Sequence, residues 1–208
     1  MTNTLHRQGT PENLQGDYVI FARPAAGINR DGCAPKLREF LRICLRHSPV
    51  NMGNEESLGI PRAQWPEMIE KTTDKVGATA TFADLDALGA VLAELKEADL
   101  GISINISGLA QNVHQCARSA GITRHSIEHS LGVHGRTERL PAKSILEINT
   151  MCGHGMVSFN LVKKMIDFVK LGKLTPREAA NLLAKPCACG AFNTERAALL
   201  LERFRDVG

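Results

Sequence analysis

Two short strings of the sequence combine residue types that bind soft metal ions or act as nucleophiles. Cys152-Gly-His154-Gly155 and Cys187-Ala-Cys189-Gly190 both read cysteine, any residue, a second ligand type and then glycine. We call them the first and the second knuckle. The glycine permits the positive φ that reverses the chain, so that alternate side chains of a tight turn can point at one centre. The repeated pattern predicts one shared site.

The ligand types in the two knuckles predict a metal centre. Together they make a Cys3His set that can bind Zn²⁺ tetrahedrally, or an iron–sulfur cluster, through Cys152, His154, Cys187 and Cys189. A helix start follows each knuckle, at Ser158 and at Asn193, and the positive end of a helix dipole favours thiolates. The histidine favours zinc, whereas an iron–sulfur cluster would be favoured if Cys116 replaced His154.

Other interpretations of the same residues stay open at this point. Cys152 or Cys189 could be the thiolate nucleophile of a metal-free enzyme, with His154 or His134 as its base. The cysteines could also be reduced loop residues beside glycine turns, with no metal. A further alternative is a helical interaction module without chemistry. Cys-x-Cys is less usual in structural zinc modules than Cys-x-x-Cys, and the sequence identifies no reaction and no catalytic residue.

A second candidate site is a small-molecule or anion pocket at strand ends. Ser107-Gly108 lies where one predicted strand ends and a helix begins, and a helix N-terminus can bind an anion. His134 and Arg136 lie where the next predicted strand ends, and α/β sheets bind ligands at such carboxyl ends. We therefore predict that Ser107, Gly108, His134 and Arg136 bind a small anionic ligand.

The composition is that of a soluble globular protein. In 208 residues, 43% are hydrophobic, and 25 basic against 22 acidic residues give a net charge of +3, which does not indicate nucleic-acid binding. No stretch approaches the roughly 18–20 apolar residues that span a bilayer, and Met1–Arg7 lacks the apolar segment of a signal peptide. We expect a cytoplasmic protein with six reduced cysteines and no membrane partner; the oligomeric state is not indicated.

The elements that must position these residues follow from hydrophobic periodicity. Strands are predicted over 17–22, 78–81, 101–107 and 125–133, and helices over 36–47, 85–95, 109–120, 159–171 and 194–204. Thr175 and Glu178 form a capping box for a further helix that Pro186 ends, whereas residues 48–75 are read as a long irregular connection. Alternating strands and helices predict an α/β fold: a small mostly parallel sheet with flanking helices over 1–140, followed by a helical C-terminal module over 141–208.

Overall fold

The computed structural model describes residues 6–57 and 59–205. The predicted absence of a signal segment in Met1–Arg7 therefore falls largely outside the described residues. The strands are β1 (Tyr18–Arg23), β2 (Asn51–Asn54), β3 (Ala78–Phe82) and β4 (Ser103–Ser107). The α-helices are α1 (Pro11–Leu14), α2 (Ala34–Arg46), α3 (Trp65–Lys71), α4 (Leu85–Ala98), α5 (Ala110–Ser119), α6 (Lys143–Asn149), α7 (Phe159–Lys170), α8 (Pro176–Ala184) and α9 (Thr194–Glu202).

The sheet is antiparallel throughout, so the predicted mostly parallel sheet is wrong. Its strand order is β2-β3-β1-β4, and every neighbouring pair runs antiparallel. Two connections, β1 to β2 through α2 and β3 to β4 through α4, do join parallel strands, but each of them skips one strand. This is the split β-α-β arrangement. The connection from β2 to β3 contains α3 and joins adjacent antiparallel strands. Alternation of strands and helices along the chain is the same for adjacent and interleaved crossovers, and the prediction assumed adjacent ones.

Two further differences concern the strands themselves. β2 lies inside the segment predicted to be irregular. The sequence did not indicate this strand because Asn-Met-Gly-Asn is short and polar and contains glycine. The strand predicted over 125–133 is absent: residues 122–134 have no regular structure. Ile127 and Leu131 of that segment are 45% and 87% exposed, so their alternation is not matched by a buried sheet face.

Local helix signals in the C-terminal part of the chain are confirmed. The capping box of Thr175 and Glu178 is present at the start of α8. Ser158 and Asn193 cap α7 and α9 by accepting hydrogen bonds from backbone amides within the first turn of each helix. In the N-terminal part of the chain, Asp84 caps α4 in the same way, because its side chain accepts hydrogen bonds from the amides of Asp86 and Ala87.

The sheet separates two hydrophobic cores. Tyr18 and Ile20 of β1 point into the core formed with α2, α3, α4 and α5. Val19 points to the opposite face, where α6, α7, α8 and α9 form what we call the C-terminal layer. The division predicted near residue 140 falls just before α6, which begins at Lys143. Within the residues that the structure describes, no helix has the length and apolarity needed to cross a membrane.

Candidate metal and thiol site

Both knuckles are tight turns between consecutive helices of the C-terminal layer. The first knuckle connects α6 to α7, and the amide of Gly155 donates to the carbonyl of Cys152 at 3.1 Å. The second connects α8 to α9, and the amide of Gly190 donates to the carbonyl of Cys187 at 3.3 Å. Gly155 and Gly190 have φ values of +69° and +75°, as the sequence pattern predicted.

The second knuckle is fixed by direct backbone contact with the sheet. A Cβ on Gly190 would lie only 2.3 Å from the carbonyl carbon of Met52, and one on Gly53 would lie 2.8 Å from the carbonyl oxygen of Ala188. The hydroxyl of Thr81 donates to the carbonyl of Gly190 at 2.9 Å. Sequence reasoning missed Gly53 and Thr81 as positioning residues, although a glycine within a strand often marks such a close backbone approach.

The two knuckles bring their cysteine and histidine side chains together in what we call the thiol cluster, Cys152, His154, Cys187 and Cys189. The Sγ atoms of Cys187 and Cys189 are 4.0 Å apart. Cys189 Sγ lies 3.6 Å from Nδ1 of His154, and Cys187 also forms a side-chain hydrogen bond with Cys152. The three cysteines are buried while His154 is exposed, so the cluster has one side open to solvent.

The cluster polarises its own thiols. A hydrogen bond from Cys187, supported by the backbone amides of His154, Met156 and Val157, lowers the pKa of Cys152 to about 5. Cys187 also lowers the pKa of Cys189, with help from the amide of Ala191. The pKa of Cys187 is raised because it donates to both neighbours and is buried. The result is a protonated thiol between two groups that favour the thiolate.

The spacing can be compared with that of a tetrahedral zinc site. Zn–S bonds of about 2.3 Å and Zn–N bonds of about 2.0–2.1 Å place two sulfurs about 3.8 Å apart and a sulfur and a nitrogen about 3.6 Å apart. The observed separations of 4.0 Å and 3.6 Å are close to these values. Across residues 6–57 and 59–205, however, no group of three or more His, Cys, Asp and Glu side chains has the complete arrangement needed to hold a metal ion. The pairwise spacing fits, while the full cage is not preformed.

The remaining cysteines lie in the other core. Cys116 is buried with α4 and α5, where its thiol lies 3.7 Å from the carbonyl of Leu85. The sheet therefore separates Cys116 from the thiol cluster, and its role as a reserve ligand in place of His154 is wrong. Cys44 is a core residue, as predicted, and burial raises the pKa of its thiol. Burial and the nearby Asp74 carboxylate also raise the pKa of Cys33 at the start of α2.

Of the two strand ends predicted to form the anion pocket, the described structure contains only the one at Ser107. Ser107 does end β4, and Gly108 follows it, packed so closely on Tyr18 that an added Cβ would lie 2.7 Å from the ring. His134 and Arg136 do not follow a strand; both are exposed, and Nε2 of His134 lies 3.0 Å from the carbonyl of Leu131 within the same segment. Convergence of these residues on a ligand stays a prediction.

Comparisons with family models, curated proteins and solved structures found no match to this chain. The interpretation of the thiol cluster therefore rests on its own geometry and chemistry.

Proposed function

We propose that this protein binds one zinc ion through Cys152, His154, Cys187 and Cys189. The observation that carries the proposal is the meeting of two knuckles of the same pattern, with sulfur and nitrogen atoms at 4.0 Å and 3.6 Å. Three thiols and one imidazole are a common ligand set of structural zinc sites. The histidine among the four ligands favours zinc over an iron–sulfur cluster, which is usually held by four cysteines.

The electrostatics of the cluster support binding of a cation. Zinc binds thiolates, and the pKa values of Cys152 and Cys189 are both lowered. Cys187 holds the proton that separates these two groups. A zinc ion would replace that proton, so binding would release about one proton from Cys187 near neutral pH.

The cage would be completed by small side-chain movements. The thiols turn from their mutual hydrogen bonds toward the ion, and the exposed ring of His154 has room to rotate. The backbone of the second knuckle is already held against β2 and β3 by Gly53 and Thr81. The ion would then link the α6–α7 turn to the α8–α9 turn and stabilise the C-terminal layer. The cytoplasmic location expected from the sequence would keep the thiols reduced until the ion binds.

A competition titration tests this proposal. Metal-free protein is titrated with zinc in the presence of a chromophoric chelator, and we expect one zinc ion bound per chain. Cys187→Ser and Cys189→Ser should each weaken binding by about 100-fold or more. Loss of a residue that only hydrogen-bonds to a metal ligand already costs about 10–100-fold in affinity. Cys116→Ser, which lies in the other core, is the matched control and should bind as the wild type does. Equal binding by Cys187→Ser and wild type, or none by either, contradicts the proposal.

A metal-free nucleophile is the second candidate, favoured by the lowered pKa of Cys152. Its weakness is access, because Cys152 is only 1% exposed and a substrate would have to displace the first knuckle. Alkylation of the metal-free protein separates the two candidates. A nucleophile should modify fastest at Cys152, with zinc giving no protection, whereas a zinc site should be protected by stoichiometric zinc at all three cysteines of the cluster.

A further inference from the structure

β4 is an open edge of the sheet. It stands at the end of the strand order and pairs with β1, and within the described chain no other backbone segment hydrogen-bonds to Ser103–Ser107. Its Ser103 and Asn105 side chains are exposed on the face that carries the C-terminal layer over the other strands. The outward backbone groups of β4 are therefore available to another strand.

The residues of β4 carry none of the usual protection of an edge strand. Natural sheets blunt their edges with charged side chains, proline, bulges or a covering helix. Ser103-Ile-Asn-Ile-Ser107 contains no charge and no proline, and it pairs with β1 in unbroken register. Ile104 and Ile106 are only half-buried against the core of α4 and α5. An uncharged strand with apolar side chains left half-covered suits a pairing partner.

The same five residues are a palindrome, which makes the edge complementary to itself. When two copies of a strand pair antiparallel about a two-fold axis at Asn105, Ser103 faces Ser107 and Ile104 faces Ile106 of the other copy. Both isoleucines then meet β-branched partners, both serines meet serines, and Asn105 meets itself. Facing serines can hydrogen-bond through their hydroxyls, and facing isoleucines cover each other's apolar surface.

We propose that two copies of this chain associate through β4, forming a continuous antiparallel sheet of eight strands. The partner is a second copy because the palindromic strand is complementary to itself about a two-fold axis. The association brings the half-covered Ile104 and Ile106 of both copies together and pairs the open backbone edge. The thiol cluster lies at the other end of each sheet, beside β2, so the association does not depend on zinc.

A charge test at the two-fold axis examines this arrangement by sedimentation velocity. The wild type should sediment as a dimer of about 45 kDa, twice the 22.6 kDa of one chain. Asn105→Lys and Asn105→Asp each place two like charges opposite one another, so each should weaken association by about fivefold or more. An equimolar mixture of the two variants should restore the dimer, because lysine then faces aspartate. Asn181→Lys, an exposed position in α8, is the matched control and should leave the dimer intact.

Each contrary result overturns the proposal. A wild type that stays monomeric at its highest soluble concentration has no such interface. A wild-type dimer that Asn105→Lys and Asn105→Asp both leave unchanged uses a different surface, and so does one in which the mixture fails to recover what the single variants lose. The far-ultraviolet circular dichroism of each variant must match the wild type, and two variants of opposite charge guard against misfolding in either one.

Discussion

Arg196 of α9 donates from Nη1 to Oδ2 of Asp17 at 2.9 Å, although 179 positions separate the two residues. Both side chains are almost completely buried, and Arg7 adds a second ion pair to the same carboxylate at 3.0 Å. Asn193, the cap of α9, also donates to Asp17. This network joins the start of the described chain to the helix that follows the second knuckle.

Replacing Arg196 should therefore be costly. In Arg196→Met the carboxylate of Asp17 stays buried with one cationic partner fewer, and we expect the free energy of unfolding to fall by about 3–5 kcal/mol. Arg177→Met is the matched control, since its ion pair with Glu195 is exposed and should be worth less than about 1 kcal/mol. Urea denaturation of both variants measures the difference, and equal losses would show that burial adds nothing.

The contact of Gly190 with β2 gives a second prediction. Gly190→Ala combines a positive φ with a Cβ 2.3 Å from the carbonyl carbon of Met52, so the knuckle must move and stability should fall by more than about 2 kcal/mol. Gly172→Ala has a similar φ of +64° but no atom within 4 Å of the added Cβ, and should lose about 1 kcal/mol. Zinc affinity should fall in the first variant only. A normal affinity in Gly190→Ala would mean that this contact does not position the second knuckle.

The lowered pKa of Cys152 predicts a pH dependence of the metal-free protein. The unfolded thiol titrates near its ordinary value of 9.0 and the folded one near about 5, so between these values the unfolded chain binds more protons. Stability from this group is thus complete above about pH 9 and is lost as the pH falls through about 5. Cys152→Ser should flatten that slope in denaturation curves recorded with a chelator. Cys116→Ser should not, because the pKa of Cys116 is raised. An unchanged slope in Cys152→Ser would contradict this assignment.

The segment between α5 and α6 should be the first site of proteolysis. Residues 123–132 are exposed without regular structure, and Arg124 and Arg136 are exposed trypsin sites. Brief digestion should cut there before it cuts inside α2, α4 or α7, and the fragments should stay together because the C-terminal layer packs against the sheet of the N-terminal fragment. Mass spectrometry of the fragments identifies the first cut. Early cleavage inside those helices, with residues 123–136 still uncut, would contradict this prediction.

The local part of the fold could be predicted from the sequence, since caps and helical periodicity act within a few residues. Ser158, Thr175 and Asn193 begin their helices as predicted. Strand pairing could not be predicted, because it depends on which distant segments meet. The polar β2 gave no hydrophobic signal, and the alternating residues around Ile127 have no partner strand.

In the candidate site, too, local features could be predicted from the sequence and long-range contacts could not. The glycine turns of both knuckles could be read from the sequence, and so could the grouping of His154 with Cys189, which depends on a helix leading out and another returning. The contact with β2 could not, because it joins Gly190 to a strand that the sequence did not indicate. The role of Cys116 was misjudged for a related reason: periodicity shows that a residue is buried but not on which face of the sheet.

The zinc content of the purified protein tests the central claim most directly. The chain is purified under reducing conditions without chelator or affinity metal, and its metals are measured by elemental analysis. We predict about one zinc ion per chain in the wild type and in Cys116→Ser, and none in a variant with Cys187 and Cys189 both changed to serine. Absence of zinc from the wild type, both as purified and after reconstitution with zinc under reducing conditions, would contradict the account.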